Sequence, residues 1–153
     1  MSKFEIDMIS IYLYRIAHKL YNNRIPLIPF VIKIFIYIIF NAYIPYEIEI
    51  GQGTKLGYGG MGIVLHPNSK IGKNVIIGQQ VTIGGRSKIK SLPIIGDNVL
   101  IGTGAKILGD VTIGNNVVIG ANAVVIKSIP DNCVAAGIPA KIIKKDIRID
   151  DYI

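Results

Sequence analysis

The sequence predicts a mainly β protein, a coil of stacked short strands with a short helical segment before it. The first observation is an aliphatic residue at every sixth position over ten units. The second is the glycine that usually follows, as at Gly72, Gly78 and Gly84. A fixed period indicates units that bury their apolar faces against their neighbours. The ten positions are Ile71, Ile77, Ile83, Ile89, Ile95, Ile101, Ile107, Ile113, Ile119 and Val125.

A unit of six residues fits one short strand and one corner. The β-branched aliphatic suits an extended backbone and points inward, and glycine turns the chain where a Cβ would interfere. Three units close a triangular turn of 18 residues, so residues 18 apart should lie above one another. Leu65 extends the series backwards. Small or β-branched residues recur four positions after the aliphatic: Val75, Val81, Val99, Ala105, Val111, Val117 and Ala123.

The chain divides into a helical segment at residues 1–45, the coil at 46–143 and a charged tail at 144–153. Residues 4–22 place apolar side chains at helical spacing, which predicts an amphipathic helix. Residues 27–44 are apolar apart from Lys33, Asn41 and two tyrosines. Pro29 and Lys33 argue against a plain membrane-spanning helix. We expect a helix packed on the coil or on a neighbouring subunit, and peripheral membrane contact through residues 25–44 is the alternative.

Composition limits the kinds of molecule that the protein is expected to bind. The chain has 153 residues and a net charge of +7, which suggests an anionic partner. No groove-reading motif or interleaving of aromatic and basic residues favours nucleic acid, so we expect a phosphorylated cofactor or an anionic membrane surface. The single Cys133 excludes an internal disulfide and is expected to be buried. Without a signal-peptide pattern, we expect a cytoplasmic location, with the inner face of the membrane as a further option.

Two stretches interrupt the repeat, and such irregularities often carry function. The first is the glycine-rich "GYGGMG" at residues 57–62. The second is "GRSKIKSLP" at residues 85–93, where the period continues through Ile89 but Lys90 replaces the expected glycine. We interpret it as an exposed basic loop or a distorted coil edge.

His66 is the candidate catalytic residue. It occupies the corner position that glycine fills at Gly84, Gly102 and Gly120, which the 18-residue period places above it. Neutral imidazole can accept a proton from a hydroxyl near pH 7. The alternatives are a structural hydrogen bond and a side chain that simply faces water. His18 is expected on the surface or at an interface.

The phrases "VTIGG", "IGDNVLIGTGAKILGDVTIGNNVVIGANAVV" and "AAGIPAKII" resemble the hexapeptide-repeat acyltransferases. The likeness is to the branch of serine acetyltransferases and polysaccharide O-acetyltransferases. It implies a left-handed parallel β-helix that transfers acetyl from acetyl-CoA to a hydroxyl, with His66 as general base and no metal. It also implies a homotrimer or a dimer of trimers with the cofactor bound between subunits.

The sequence departs from typical serine acetyltransferases at two motifs. Their "DH" and "DRHP" read here as "GYGG" around Tyr58 and "KSLP" around Leu92, and their longer helical domain corresponds to about 45 residues. "GYGGMGIVLH" is similar instead to shorter saccharide O-acetyltransferases. The resemblance therefore favours a sugar hydroxyl in surface polysaccharide biosynthesis. Serine O-acetylation for cysteine biosynthesis is the alternative, and a non-catalytic scaffold is the second.

A zinc enzyme of the γ-carbonic-anhydrase type would need three histidines, and the chain has two. Matching positions in the acyltransferases suggest acceptor contacts at Tyr58, Gly59 and Gly60. The residues suggested to contact acetyl-CoA are Gly85, Arg86, Thr103, Gly104, Ala105, Ala121, Ala123, Lys127 and Lys141. The alternative explanation for these residues is ordinary repeat geometry, or a solvated surface side chain for the lysines.

Overall fold

The computed structural model describes the backbone of residues 3–152 and the side chains of residues 8–152. Two helices are followed by about four turns of a parallel β-solenoid and a closing hairpin. The predicted parallel β-helix with a short N-terminal helical part is confirmed.

Helices α1 (Lys3–Asn22) and α2 (Ile28–Phe40) form a hairpin on the first turns of the coil. The hydroxyl of Tyr14 donates a hydrogen bond of 2.5 Å to the carbonyl of Ile48. The Arg15 guanidinium donates to the carbonyls of Ile50 and Gly51. These bonds fix α1 across the coil. Within the described residues, neither helix is long and apolar enough to cross a membrane.

Among the described residues, fourteen strands form three sheets, the faces of a prism, and every strand pair is parallel except β13–β14. The first sheet has the order β1-β4-β7-β10, the second β14-β13-β11-β8-β5-β2 and the third β12-β9-β6-β3. The strands are β1 (Glu49–Ile50), β2 (Lys55–Leu56), β3 (Val64–Leu65), β4 (Lys70–Ile71), β5 (Ile76–Ile77), β6 (Thr82–Gly84), β7 (Ile94–Ile95), β8 (Leu100–Ile101), β9 (Lys106–Leu108), β10 (Thr112–Ile113), β11 (Val118–Ile119), β12 (Val124–Val125), β13 (Cys133–Gly137) and β14 (Ala140–Lys145).

The repeated aliphatic residues fill the prism, as predicted, with one exception. Nine of the ten are buried. Ile89 is 37% exposed and belongs to the loop at residues 85–93, so its assignment to the core series is wrong. A hexapeptide that keeps the period can be looped out of the coil, because the period alone does not require its aliphatic residue to face inward.

That loop changes the stacking. Leu65 pairs with Ile83, three hexapeptides further along the chain, whereas Ile83 pairs with Ile107, four hexapeptides further along. The expected spacing of three hexapeptides is therefore wrong across residues 85–93. The glycine-rich turn at residues 57–62 has a smaller effect: Leu56 pairs with Ile77, half a hexapeptide beyond the position that the period predicts.

The corner between the first and second sheets, here called the asparagine corner, is closed by side-chain ladders. Asn74 donates to Asn98 (3.1 Å), Asn98 to Asn116 (3.3 Å) and Asn116 to Asn132 (3.0 Å). All four are in the left-handed region, which asparagine tolerates well. Because its side chains are used in structural hydrogen bonds, this corner is a poor candidate for a functional site. The other two corners of the prism remain as candidates.

The coil ends in the antiparallel hairpin β13–β14, which the repeat does not predict. Ile147 packs against Val118 and Val134. The first residues of the segment expected to be a charged tail therefore belong to the hairpin and its packing. Cys133 is buried, as expected.

Candidate active site at the histidine corner

His66 lies where the chain passes from the third sheet to the first, here called the histidine corner. Residues 45–48, 66–69, 84–93, 108–111 and 126–128 form this corner on successive turns. The His66 amide donates to the carbonyl of Ile83 at 2.9 Å, and its carbonyl accepts from the Ser69 amide at 3.0 Å. The side chain is half-buried. The backbone of His66 is thus held while its ring remains accessible.

The ring of His66 has a defined hydrogen-bond state. The amide of Asn68 donates to Nδ1 at 3.2 Å, so the neutral ring carries its proton on Nε2. Nδ1 is therefore the nitrogen that can accept a proton. The bond lies at the long end of the normal range, and an acceptor hydroxyl can replace it at modest cost.

The position above His66 is open. Register places Gly84 beside His66 on the next turn, and a Cβ built at Gly84 meets none of the described atoms within 4 Å. Above Gly84 the column continues with Leu108 and then Ile126. The predicted column of Gly84, Gly102 and Gly120 is wrong beyond its first member, because the looped-out hexapeptide moves the later glycines to another corner.

A cavity of about 240 Å³ lies against residues 67–70, which directly follow His66, on the side of the first turn. Glu47, Glu49, Ser69 and Lys70 contribute to its lining, and Glu49 forms an ion pair of 3.5 Å with Lys70. Glu47 Oε2 and Ser69 Oγ are buried without a hydrogen-bond partner among the described residues. Sequence reasoning missed Glu47 and Glu49. The first turn is longer than 18 residues, so the period does not place these two residues on the turn below His66.

The loop at residues 85–93 projects from the same corner one turn above His66. Its residues 85–91 are exposed, so the interpretation as an exposed basic loop is confirmed. A Cβ at Gly109 would lie 3.0 Å from Arg86 Cβ, which shows how closely the loop rests on the following turn. Arg86, Lys88 and Lys90 give this side of the corner a positive charge.

The suggested cofactor residues fall into separate groups. Gly85, Arg86 and Lys127 share the histidine corner. The corner between the second and third sheets, here called the glycine corner, holds Thr103, Gly104 and Ala121. Lys141 lies in β14. Ala105 and Ala123 are fully buried in the prism, so their side chains cannot contact a bound cofactor, and that interpretation is corrected.

The suggested acceptor residues also lie away from His66, at the opposite end of β3. Tyr58 is exposed, whereas Gly59 and Gly60 are buried. A Cβ at Gly60 would approach Ser10 Oγ at 3.6 Å and Ala42 Cβ at 3.7 Å. The nearest atom to such a Cβ is Leu56 Cδ1 at 3.3 Å, and Gly60 has a φ of +84°, so glycine suits the left-handed backbone of this turn, which lies against α1.

His18 has a structural role. Its Nδ1 lies 2.7 Å from the carbonyl of Tyr46, and its Nε2 lies 3.1 Å from Asn22 Nδ2. A carbonyl can only accept, so Nδ1 carries the proton and donates, and Nε2 accepts from Asn22. Among residues 8–152, no group of three His, Cys, Asp or Glu side chains is arranged to hold a metal ion.

Comparison with known proteins gives consistent relatives. Residues 93–127 match the family described as bacterial transferase hexapeptide (six repeats). A serine acetyltransferase of Synechococcus elongatus is 36% identical over 140 residues, covering 90% of this chain and 57% of the relative.

Two solved structures have the same fold. Serine acetyltransferase from Brucella abortus in complex with coenzyme A has a TM-score of 0.86 and 34% identity, over 92% of this chain and 56% of that chain. Soybean serine acetyltransferase complexed with serine has a TM-score of 0.81 and 34% identity, over 88% and 56%. The chain spans somewhat more than half the length of these relatives.

Residues 93–127 therefore match the hexapeptide-repeat transferases, and the β-helix fits an acetyltransferase of this kind. Over about nine-tenths of the chain, sequence and fold are similar to those of serine acetyltransferases. The predicted sugar acceptor is therefore wrong, and the relatives favour serine. The phrase "GYGGMG" misled because Gly59, Gly60 and Gly62 all have a positive φ, so these glycines reflect the geometry of the turn and do not report the acceptor.

Proposed function

We propose that the protein transfers the acetyl group of acetyl-CoA to the hydroxyl of serine. The observation that carries this proposal is the likeness to serine acetyltransferases over about nine-tenths of the chain, in sequence and in fold. Relatives have been solved with coenzyme A and with serine. The histidine corner adds a basic nitrogen, open space and charges of both signs.

His66 supplies the proton transfer. The serine hydroxyl displaces the Asn68 amide from Nδ1 and gives its proton to that nitrogen as its oxygen bonds to the thioester carbon. The carbon–sulfur bond breaks, and the proton that Nδ1 received passes to the leaving thiolate. The ring thereby returns to its resting neutral state with its proton on Nε2. Gly84 leaves the space in which the reacting groups meet.

The charges around His66 suit an amino-acid acceptor. Glu47 and Glu49 lie one turn below His66, and the basic loop with Arg86 lies one turn above it. Neighbouring turns are about 4.8 Å apart, so a small zwitterion can reach both. The ammonium group of serine would face the carboxylates and its carboxylate would face the loop. A neutral acceptor would gain nothing from this arrangement.

The donor fits along the same corner. Lys127 lies three turns above His66, a distance of roughly 14 Å at normal strand spacing. The extended pantetheine arm of CoA bridges a similar distance between its sulfur and its phosphates. Lys127 would then meet the phosphates, with Arg86 nearer the middle of the arm.

We extend the proposal to a homotrimer. Thr103, Gly104 and Ala121 lie on the glycine corner, away from His66 in the same prism, and a neighbouring copy can bring that corner to the cofactor. Light scattering should return a multiple of three. A stable monomer with full activity would remove the second copy from the site.

The test is thiol release from acetyl-CoA with L-serine as acceptor. We expect serine-dependent release, and a Glu47→Gln variant should raise the KM for serine while the KM for acetyl-CoA stays unchanged. Two matched acceptors test the fit: homoserine has a side chain one methylene longer, and serine methyl ester lacks the free carboxylate. Folded protein that binds acetyl-CoA but never transfers acetyl to serine would contradict the proposal. Failure to bind acetyl-CoA would support a scaffold.

A further inference from the structure

Helix α2 turns its apolar residues away from the protein. Its inner stripe consists of Pro29, Ile32, Lys33, Ile36 and Phe40, which are buried or partly buried. Its remaining eight residues form what is here called the outer face, and they are 39% to 70% exposed. The outer face comprises Ile28, Phe30, Val31, Ile34, Phe35, Tyr37, Ile38 and Ile39.

A surface helix usually presents charged side chains to solvent, and α2 does not. Lys33 is the one charged residue in the α2 sequence, and it faces inward. Its ammonium lies over the rings of Phe30, Tyr43 and Tyr46 at 5.3, 5.8 and 5.1 Å from their centroids. These contacts stabilise the cation at the edge of the outer face, beside Phe30. The outer face therefore has no charged side chain.

The size of this face indicates a binding partner. Eight half-exposed side chains of about 200 Å² each present on the order of 800 Å² of apolar surface. Soluble monomers rarely expose more than a few hundred Å² in one patch. A helix of 13 residues is about 20 Å long, shorter than the hydrocarbon core of a bilayer at about 30 Å. It can therefore lie in a membrane interface but not cross it.

Charge decides between a lipid surface and a second copy. Residues 8–46 contain no Asp or Glu, and they carry Arg15, Lys19, Arg24 and Lys33. Arg24 and Lys33 lie beside the outer face, and in a two-fold contact they would approach the same cations of the second copy with no acidic partner from this segment. An anionic lipid surface attracts them instead.

Arg24 lies beside the outer face in a position suited to a headgroup. It contributes to a cavity of about 510 Å³ with Tyr21, Tyr46, Leu27 and Phe30 at the start of α2. Leu27 is 75% exposed next to it. A guanidinium at the edge of an apolar surface can bind a lipid phosphate while the neighbouring side chains enter the acyl region. Tyr37 and Tyr43 add the aromatic residues that favour this depth.

We propose that the outer face of α2 docks on an anionic phospholipid surface, with the helix lying in the plane of the interface. This inference does not depend on the acetyl acceptor, because none of the residues substituted to test it belongs to the histidine corner.

The experiment is co-sedimentation of the full chain with two kinds of vesicle, one of phosphatidylcholine alone and one of two parts phosphatidylcholine to one part phosphatidylglycerol. We expect binding to the anionic vesicles to be roughly tenfold stronger and to weaken with salt. Ile38→Glu should lower it by more than about tenfold, since it places a charge where an apolar side chain enters the membrane. Ile143→Glu is the matched control: Ile143 on β14 is 66% exposed, against 70% for Ile38.

Two further readouts separate docking from self-association. The chain has no tryptophan, so Phe35→Trp introduces a single reporter whose emission should shift to the blue with anionic vesicles. Arg24→Glu should reduce binding to anionic vesicles and leave acetyl transfer unchanged. Equal binding of the parent and Ile38→Glu would overturn the proposal. So would a change of oligomeric state on Ile38→Glu in lipid-free light scattering, which would assign the outer face to a second copy.

Discussion

Gly84 lies one turn above His66 in strand register, and a Cβ at Gly84 would meet none of the described atoms within 4 Å. The histidine therefore borders an open space at a fixed point of the coil. The amide of Asn68 orients the ring, and the basic loop and the Glu47 carboxylate lie on the turns to either side. The first predictions test this arrangement.

Replacing His66 with Ala should lower acetyl transfer to serine by roughly 100-fold to 10,000-fold, the usual contribution of a general base. Acetyl-CoA affinity and the free energy of unfolding should change little, because the side chain is half-buried at a corner. The measurement is thiol release per folded molecule. His18→Ala is the control: it loses two structural hydrogen bonds and should reduce stability but keep turnover. Retention of more than about a third of parent activity by His66→Ala would exclude His66 as the base.

The two histidines should show opposite tautomers. His66 accepts at Nδ1 and His18 donates from Nδ1, so their neutral rings carry the proton on Nε2 and Nδ1 respectively. Long-range ¹H–¹⁵N spectra near pH 8, where free imidazole is neutral, distinguish the two states. A proton on Nδ1 of His66 in the ligand-free protein would contradict the proton path from the hydroxyl to Nδ1.

Substitutions at Gly84 should affect activity without affecting stability. Gly84→Ala should keep the free energy of unfolding within about 0.5 kcal/mol. Gly84→Phe should fill the open space and lower turnover more than about tenfold, as expected for misplaced reacting groups. Gly104→Ala is the contrasting variant. Its φ of +72° and a Cβ 2.1 Å from Asn122 Oδ1 should cost about 1–3 kcal/mol in chemical denaturation. Full activity in Gly84→Phe would place the reaction elsewhere.

The affinity for acetyl-CoA should depend on Lys127, through its contact with the phosphates. Lys127→Ala should weaken acetyl-CoA binding roughly two- to fivefold at low ionic strength and flatten its dependence on salt, because an exposed ion pair is weak and screened. Adding Lys141→Ala tests whether β14 also contributes. Lys73→Ala, at the asparagine corner, is the control and should leave calorimetric affinity unchanged. Unaltered affinity in the double variant would return both lysines to the solvated surface.

The contact of α1 with the coil should weaken in alkali. Burial raises the pKa of Tyr14 to about 12 from 10.0. A raised pKa stabilises the fold below pH 10, and that stabilisation is lost as the pH rises from 10 to 12. Two pKa units correspond to roughly 2–3 kcal/mol. The free energy of unfolding from pH 9 to 12 should therefore fall more steeply in the parent than in Tyr14→Phe. Parallel curves would show that Tyr14 does not titrate with unfolding.

Much of the fold could be predicted because each hexapeptide encodes its own geometry. An inward aliphatic residue and a following corner suffice to define a strand and its face, so nine of the ten repeated positions were assigned correctly to the core. The helical spacing of residues 4–22 likewise predicted α1. These are local properties, and local sequence carries them.

The sequence by itself determined the coil, its inward face, the helical segment and His66 as the candidate base. Only the tertiary structure decided that Ile89 leaves the coil, that Leu108 and not Gly102 continues the column above Gly84, and that Gly60 packs against α1. The physical reason is that the corner on which a residue lies depends on the length of every turn that precedes it. One hexapeptide that loops out keeps the sequence period intact but moves every later residue to a different corner.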